Sequence, residues 1–470
     1  MVKNFFLNKI KENFPFEPTR EQNSVLERIV DFLFVTKEET VFLLKGYAGT
    51  GKSSLLGALV KTMTEFKQKT VLLAPTGRAA KVFSAYSNHP AFTIHKKIYR
   101  QKKFSEDIGN FSIMDNLHKD TLFIVDEASM ISNDGLDSAV FGTGRLLDDL
   151  IHYVYSGENC KLLLIGDSAQ LPPVMQDDSP ALQRDVLQGY GLDVLESTMT
   201  QIVRQAESSG ILFNATNIRN TLHDGATEDY PKLKLSGFDD IKKISGEELI
   251  DEINAAYDRD GIENTMIISR SNKRSNIYNQ GVRNRILWRE EEISTGDLLM
   301  ITKNNYYWTE KIEGIEFLAN GEILEVLRIR KMQELYGFRF CDVLVRSVDY
   351  DTELEIKILL DTLTSESAGL SRERSQELFY NVLEDYSHFS TKATKMKKMK
   401  VDPFYNAVQV KFAYAVTCHK AQGGEWKNVF LDMGYVPQEY LGINFYRWLY
   451  TAITRASDKL YLVNLPDDFL

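Results

Sequence analysis

Eight residues near the start of the chain have the types and spacing to grip phosphate. Gly46-Tyr47-Ala48-Gly49-Thr50-Gly51-Lys52-Ser53 directly follows the apolar run Thr40–Leu44 and fits the pattern G-x-x-x-x-G-K-[ST]. The glycines let the backbone turn back, so that successive N–H groups point at phosphate oxygens. A helix starting behind them adds the positive end of its dipole. Lys52 is placed to reach the β- and γ-phosphates and Ser53 to hold Mg²⁺. Gly46, Ala48, Gly49, Thr50, Gly51 and Ser54 complete the cradle. A loop of this kind needs a metal-holding acid on a neighbouring strand. Leu122-Phe123-Ile124-Val125-Asp126-Glu127 supplies one, because four apolar residues carry Asp126 to the carboxyl end of a strand, where open α/β sheets bind ligands. Asp126 is assigned to the metal together with Ser53, and Glu127 to activation of the attacking water. The chemistry expected is hydrolysis of a nucleoside triphosphate, with ATP and Mg²⁺ as cofactors.

These residues need a scaffold. Short runs that are apolar on both faces occur at Thr40–Leu44, Thr70–Ala74, Thr121–Val125 and Lys161–Ile165, as buried parallel strands require. Helical stretches such as Ser53 to Phe66 lie between them. The alternation predicts an α/β core with helices on both faces. Similar runs at Thr265–Ser269, Phe412–Val416, Asn428–Leu431 and Leu460–Val463 predict a second α/β domain. The stretch from Gly296 to about Tyr405 differs. Alternating β-like residues over Glu322–Arg330 and Phe338–Asp349 read as antiparallel strands, and a polar helical stretch follows from Ser365 to Lys400. It ends in Lys392, Lys395, Lys397, Lys398 and Lys400, which read either as a solvated helix end or as a surface that follows phosphates.

With 470 residues the chain is long enough for more than one domain. Its net charge of -10 does not exclude a nucleic-acid partner, because local basic patches rather than net charge make such contacts. No apolar run is long enough to span a bilayer, and the first residues lack the apolar core of a signal peptide. No membrane partner is expected, and the cytoplasm is the expected location. Cys160, Cys341 and Cys418 form neither a disulfide framework nor a zinc-ligand pattern.

The remaining motifs resemble those of superfamily 1 helicases, close to the RecD-like, phage Dda-type branch. Ala74-Pro75-Thr76-Gly77-Arg78-Ala79-Ala80-Lys81 resembles motif Ia, and Thr93-Ile94-His95 the short motif after it. Asp126-Glu127-Ala128-Ser129-Met130 is the RecD-like form of motif II, and Gly166 to Val174 matches motif III. Gln201-Ile202-Val203-Arg204-Gln205 is similar to motif IV, Val416 to Glu425 to motif V and Tyr450 to Ala456 to motif VI. The resemblance runs from about residue 16 to 457.

It implies two RecA-like P-loop domains with a small insert in each. The first would occupy residues 1–200, with a β-hairpin pin at about 97–116. The second would occupy 201–295 and 406–470, with an SH3-like β domain inserted at 296–405. It further implies that Gln170 links the γ-phosphate to the DNA track, that Arg204 and Arg455 reach the γ-phosphate in the manner of arginine fingers, and that Glu425 lies near the ribose. Thr76, Arg78, Thr93, His95, Thr417, His419 and Lys420 would contact DNA. Taken as isolated residues, His95 and His419 read as ordinary polar or packed groups. Gln22 admits two readings. The resemblance makes it an adenine reader, while Thr19-Arg20-Glu21-Gln22 is a capping box in which Gln22 returns a bond to the cap.

The function expected is ATP-driven movement on single-stranded DNA, 5′ to 3′ by the resemblance, with forked DNA as the substrate for unwinding. A nucleic-acid-stimulated ATPase that does not unwind, and an RNA-directed member of the same superfamily, remain open alternatives. The sequence does not set the oligomeric state, and a monomer is compatible with it.

Overall fold

Strands that are apolar on both faces need cover on both sides, and the chain provides it twice. The computed structural model describes residues 2–37, 39–101, 111–135, 141–203, 208–309, 317–348 and 352–470. Its first eight strands are β1 (Thr40–Gly46), β2 (Lys69–Ala74), β3 (Ala91–Thr93), β4 (Tyr99–Gln101), β5 (Phe111–Ile113), β6 (Thr121–Val125), β7 (Lys161–Gly166) and β8 (Asp193–Met199). Six of them form one parallel sheet in the order β3-β2-β6-β7-β1-β8. Side chains alternate between two cores. Val41, Leu43, Phe123, Val125, Leu162 and Leu164 face one, while Phe42, Leu44, Leu122, Ile124, Leu163 and Ile165 face the other. Each such side chain contributes about 1.5–3 kcal/mol on burial, so the register of β1 and β6, which carry the chemistry at their ends, is firmly fixed.

β4 and β5 stand apart as an antiparallel hairpin. Part of the expected pin, residues 102–110, lies outside the described residues.

The second sheet holds β9 (Ile241–Ile244) and β10 (Thr265–Ser269). The chain then leaves it to build a closed barrel from β11 (Leu298–Ile301), β12 (Ile323–Leu335), β13 (Phe338–Ser347), β14 (Thr352–Leu359) and β15 (Val408–Phe412). It returns with β16 (Ala415–Thr417), β17 (Trp426–Asp432) and β18 (Ala456–Val463), giving a parallel sheet ordered β16-β10-β17-β18-β9. β12 and β13 are joined by Tyr336 and Gly337, with φ of 57° and 76°. Two left-handed residues give the hairpin turn whose twist matches its strands.

The run Phe412–Val416, expected as one strand, is divided. Phe412 closes the barrel and Ala415 opens the next strand of the second sheet. The cause lies in the residues between them. Tyr414 and Ala415 both donate their N–H groups to Asn279 Oδ1, at 3.0 and 2.8 Å, while the Tyr414 hydroxyl donates to Asp297 Oδ1 at 2.9 Å. Asp297 is fully buried and also pairs with Arg283 at 3.1 Å and Arg289 at 2.9 Å. This cluster fixes the root of the barrel on the second domain.

Contacts from both a polar and an aromatic group tie the barrel to the first domain. Lys81 Nζ donates to the Val348 carbonyl at 2.6 Å. Tyr306 packs against Phe111 and Phe141, with ring centroids 4.5 and 5.6 Å apart. The polar stretch after the barrel forms two helices, Arg372–Asp385 and Lys392–Lys400, seated on Phe338 and Phe340 through Leu378, Val382 and Met399. Among the described residues, no helix is long and apolar enough to cross a membrane, and no three His, Cys, Asp or Glu side chains group as a metal cluster.

Candidate nucleotide site and its domain interface

β1 delivers Gly46, and the helix Lys52–Glu65 begins at once behind Gly51. Gly49 and Gly51 have φ of 75° and 86°, a region that other residues enter only with strain. A Cβ on Gly51 would come within 2.5 Å of Gln22 Nε2, so glycine is needed there for space as well. Lys52 Nζ donates to the carbonyls of Gly46 and Tyr47 at 2.7 and 2.9 Å. The Thr50 hydroxyl donates to Tyr47 O at 2.8 Å. Ser53 is exposed on the first turn, and Ser54 lies beside it, half-buried.

Gln22 serves two structural partners. Its Oε1 accepts from Thr19 N at 2.9 Å, closing the capping box. Its Nε2 donates to Thr50 O at 3.0 Å. The cap therefore braces the phosphate loop directly.

β6 ends at Val125, next to β2 and β7, and sets Asp126 and Glu127 at the sheet's carboxyl edge. Asp126 Oδ1 accepts from the Glu127 N–H at 2.8 Å, and its Oδ2 accepts from the Tyr86 hydroxyl at 2.6 Å. Glu127 has a left-handed backbone, φ 53°, a conformation that is costly for a residue with a side chain and is often met at functional sites. Burial pushes its carboxyl up to about 6, helped by Asp126 and Asp167 and opposed by Arg455 and Lys52. Lys52, Asp126, Glu127, Asp167 and Arg455 thus share one electrostatic neighbourhood.

The second domain closes on this group through the helix Ile443–Ile453 and the turn after it. The Tyr450 hydroxyl accepts from the Ala48 N–H at 2.9 Å and donates to Asp167 Oδ2 at 2.6 Å. Thr451 Oγ1 accepts from Leu171 N at 2.8 Å, and Gln422 Nε2 donates to Leu171 O at 2.8 Å. Arg455 is buried, with Nη1 on Gly424 O at 3.1 Å and Nε on Thr451 O at 3.0 Å. Gln170 is also buried, and its Oε1 has no protein partner. A buried amide oxygen without a donor is costly and leaves an acceptor for a ligand. The set of loop amides, ammonium, hydroxyl, carboxylates and guanidinium suits a triphosphate with its Mg²⁺.

Residues 19–230 match the family model of an AAA domain, and residues 412–463 that of a UvrD-like helicase C-terminal domain. The ATP-dependent DNA helicase Dda of Enterobacteria phage T4 is 22% identical, over 89% of this chain and 93% of its own. The RecD subunit of the RecBCD enzyme of Buchnera aphidicola is 23% identical, over 93% of this chain and 72% of its own. These matches make the chain similar to the RecD-like, Dda-type branch of superfamily 1 helicases. Its two parallel sheets are the two RecA-like domains. A crystal structure of a Bacteroides Pif1 helicase with ADP-AlF3 and single-stranded DNA aligns over 96% of this chain and 93% of its own, at 15% identity and a TM-score of 0.43.

In this RecD-like chain the residues expected along a nucleic-acid track fall into two groups. Around motifs Ia and V the domains meet. Thr76 Oγ1 accepts from Ala79 N at 3.2 Å as a helix cap, and a Cβ on Gly423 would come within 3.0 Å of that same oxygen. The Arg78 guanidinium lies 3.9 Å from the Trp426 ring and donates to Glu425 O at 3.2 Å. Thr417 is half-buried before the helix Cys418–Ala421, and His419 and the Glu425 side chain are exposed. Lys420 Nζ pairs with Asn320 of the barrel, and burial lowers its ammonium to about 8. Thr93 and His95 form the second group. Thr93 Oγ1 caps the helix Ile94–Ile98 by accepting from Lys96 N at 3.1 Å. The His95 ring packs on Phe141 and Tyr99, at 4.9 and 5.7 Å, and burial lowers its pKa to about 4.

Arg204 lies outside the described residues. Tyr86, Asp167, Tyr450 and Thr451 were given no individual role in the sequence reading. Tyr450 and Thr451 stand inside motif VI, one helical turn before Arg455, so their hydroxyls were a usable signal. Tyr86 is one of 22 tyrosines and nothing in the sequence singles it out.

Proposed function

We propose that this ATP-dependent DNA helicase binds ATP·Mg²⁺ between its two RecA-like domains and moves 5′ to 3′ on single-stranded DNA, separating a forked duplex. The observation that carries this reading is the placement of Arg455 and Tyr450, both from the second domain, against Lys52, Glu127 and Asp167 of the first.

Lys52 would exchange two neutral carbonyls for phosphate oxygens, which accept stronger, charge-assisted bonds. Ser53 and Asp126 would hold the metal, which when bound neutralises charge between the β- and γ-phosphates. Glu127 would take the proton of the attacking water. Arg455 and Arg204 would meet charge that develops on the γ-phosphate. Gln170, adjacent to the Leu171 that Thr451 and Gln422 hold, would report the γ-phosphate to the track. Gln22 would read the adenine, with Glu425 near the ribose. Thr76, Arg78, Thr93, His95, Thr417, His419 and Lys420 would line the strand. Each opening and closing of the cleft would then shift one domain's grip relative to the other's. The hairpin β4–β5 would split the duplex, and the barrel would stand as an SH3-like clamp beside it. Nothing in the proposal requires a second subunit.

The test is ATP hydrolysis with and without single-stranded DNA, beside unwinding of duplexes carrying only a 5′ or only a 3′ tail. Stimulation with 5′-tail-selective unwinding supports the proposal. A 3′ preference overturns the polarity, and stimulation without strand separation leaves a nucleotide switch. DNA and RNA oligomers compared in the same assay separate the two sugars.

A further inference from the structure

The helix Lys392–Lys400 carries five lysines in nine residues, on a chain whose net charge is -10. Met399 is buried and Met396 partly so, and these two seat the helix on its neighbour. At 3.6 residues per turn, Lys395, Lys397, Lys398 and Lys400 fan over the remaining surface. Lys392, Lys397 and Lys398 are exposed. Among the described residues, the side chains of Lys392, Lys395, Lys397 and Lys398 have no hydrogen bond or ion pair. The barrel beside them behaves differently. Arg330 pairs with Glu355, Arg339 with Glu292, Arg346 with Glu325 and Lys357 with Asp342.

The arrangement is unfavourable on its own terms. Lys392 and Lys395, Lys395 and Lys398, and Lys397 and Lys400 are like charges at i,i+3 spacing, which weakens a helix. The helix dipole favours cations in the last turn but not Lys392 in the first. A facing anion removes the repulsion, and a row of anions suits a row of cations.

The position of the helix indicates which anion. Its last carbonyl, Lys400 O, accepts from Asn406 Nδ2 at 2.8 Å. Asn406 O in turn accepts from Asn305 Nδ2 and from Trp308 Nε1, both at 2.8 Å. Between those two residues Tyr306 packs against Phe111, the first residue of β5 and the partner of Gln101 in the β4–β5 hairpin. A short bonded path therefore runs from the basic helix to the element where, by the function proposed above, the duplex is opened.

We infer that Lys392, Lys395, Lys397 and Lys398 form a second DNA contact, which grips the phosphate backbone of the duplex ahead of the fork. The contact is sequence-independent and sensitive to salt, since each neutralised phosphate releases counterions. It holds the incoming duplex against the hairpin while the single strand is drawn through the motor.

The inference rests on the helicase reading, and the experiment separates the two. The full chain is compared with K395E/K397E/K398E and with the milder K395Q/K397Q/K398Q. Affinity is measured for a 5′-tailed duplex and for the tail alone across a KCl series, beside single-strand-stimulated ATP hydrolysis. The expected result is unchanged hydrolysis and tail affinity in both variants. The tailed duplex should bind at least tenfold more weakly to the Glu variant, and its slope of log affinity against log salt should fall by about 2 to 3. An unchanged ratio of tailed-duplex to tail affinity overturns the duplex contact while leaving the helicase reading intact. Equal losses on both DNAs also overturn it, placing the lysines on the single strand. A wild-type chain that neither binds nor responds to DNA overturns the helicase reading itself.

Discussion

Tyr450 donates its hydroxyl to Asp167 Oδ2 at 2.6 Å, across the boundary between the two RecA-like domains. The Tyr450 hydroxyl oxygen in turn accepts the Ala48 N–H of the phosphate loop. One hydroxyl thus connects motif VI, motif III and the nucleotide cradle. Tyr450→Phe keeps the ring and deletes both bonds. Its expected effect is a roughly tenfold loss of DNA stimulation of hydrolysis, the scale of one buried hydrogen bond to a charged group, with little change in nucleotide affinity. Titration with a fluorescent ATP analogue, set beside steady-state hydrolysis, checks the split. Equal losses in basal and stimulated rates would show that the tyrosine only supports the fold.

Lys52→Ala should abolish hydrolysis, because it removes the ammonium that now holds the loop carbonyls of Gly46 and Tyr47. Glu127→Gln should bind ATP with nearly wild-type affinity and turn it over at least a hundredfold more slowly, the range set by loss of a general base. Single-turnover hydrolysis separates the two defects. Normal turnover in Lys52→Ala would refute the site assignment.

In the proposed function Tyr86 would act on the metal through Asp126, whose Oδ2 accepts from its hydroxyl at 2.6 Å. Tyr86→Phe frees that carboxylate to rotate. The Mg²⁺ concentration for half-maximal hydrolysis should rise by about tenfold, as when an outer partner of a metal ligand is removed. Binding of nucleotide in EDTA should be unaffected. A parallel loss in EDTA would instead indicate a damaged fold.

His95 makes stability depend on pH. Its imidazole packs on Phe141 and Tyr99, and the Tyr99 hydroxyl is itself held by Asp149 at 2.7 Å. Burial lowers the folded-state value from 6.5 to about 4. The unfolded chain therefore takes up a proton below pH 6.5 that the folded chain refuses. The stability His95 contributes is complete above pH 6.5 and is lost as pH falls toward 4. Melting temperatures of wild type and His95→Phe should converge across that window. Curves that stay parallel would refute the assignment.

Asp297 is buried among Arg283, Arg289 and the Tyr414 hydroxyl. Asp297→Ala leaves Arg283, itself only 2% exposed, without its counter-charge. A loss of about 3–5 kcal/mol is expected, read by urea denaturation. A change below about 1 kcal/mol would mean that water enters the cluster.

The parts of the site legible in the sequence are those in which neighbours along the chain are also neighbours in space. Gly46 to Ser53 form one turn, and Asp126 follows four strand residues, so pattern and chemistry coincide. Gln22 shows the limit. Both its cap and its reach to the phosphate loop exist, yet the second, a bond to Thr50 28 residues away, is not encoded locally. The contact between Ala48 and Tyr450 spans 402 residues and follows only from the docking of two finished domains. The packing of the His95 ring on Phe141 was not legible either, because Phe141 is remote from it in the chain. The division of Phe412–Val416 was hidden for a related reason. Its apolar pattern suits either sheet, and the distant Asn279 and Asp297 decide where one ends.

The barrel's place within the second sheet has a bearing on biosynthesis. β10 hydrogen-bonds on one side to β16 and on the other to β17, and both are made about 150 residues after it, behind the barrel strands. Until then a nascent chain carries Met266, Ile267 and Ile268 on a strand with two unpaired edges, the kind of surface that recruits other chains. Translation that stalls within or just beyond the barrel would leave this strand exposed, so truncated products should depend on chaperones far more than the completed protein.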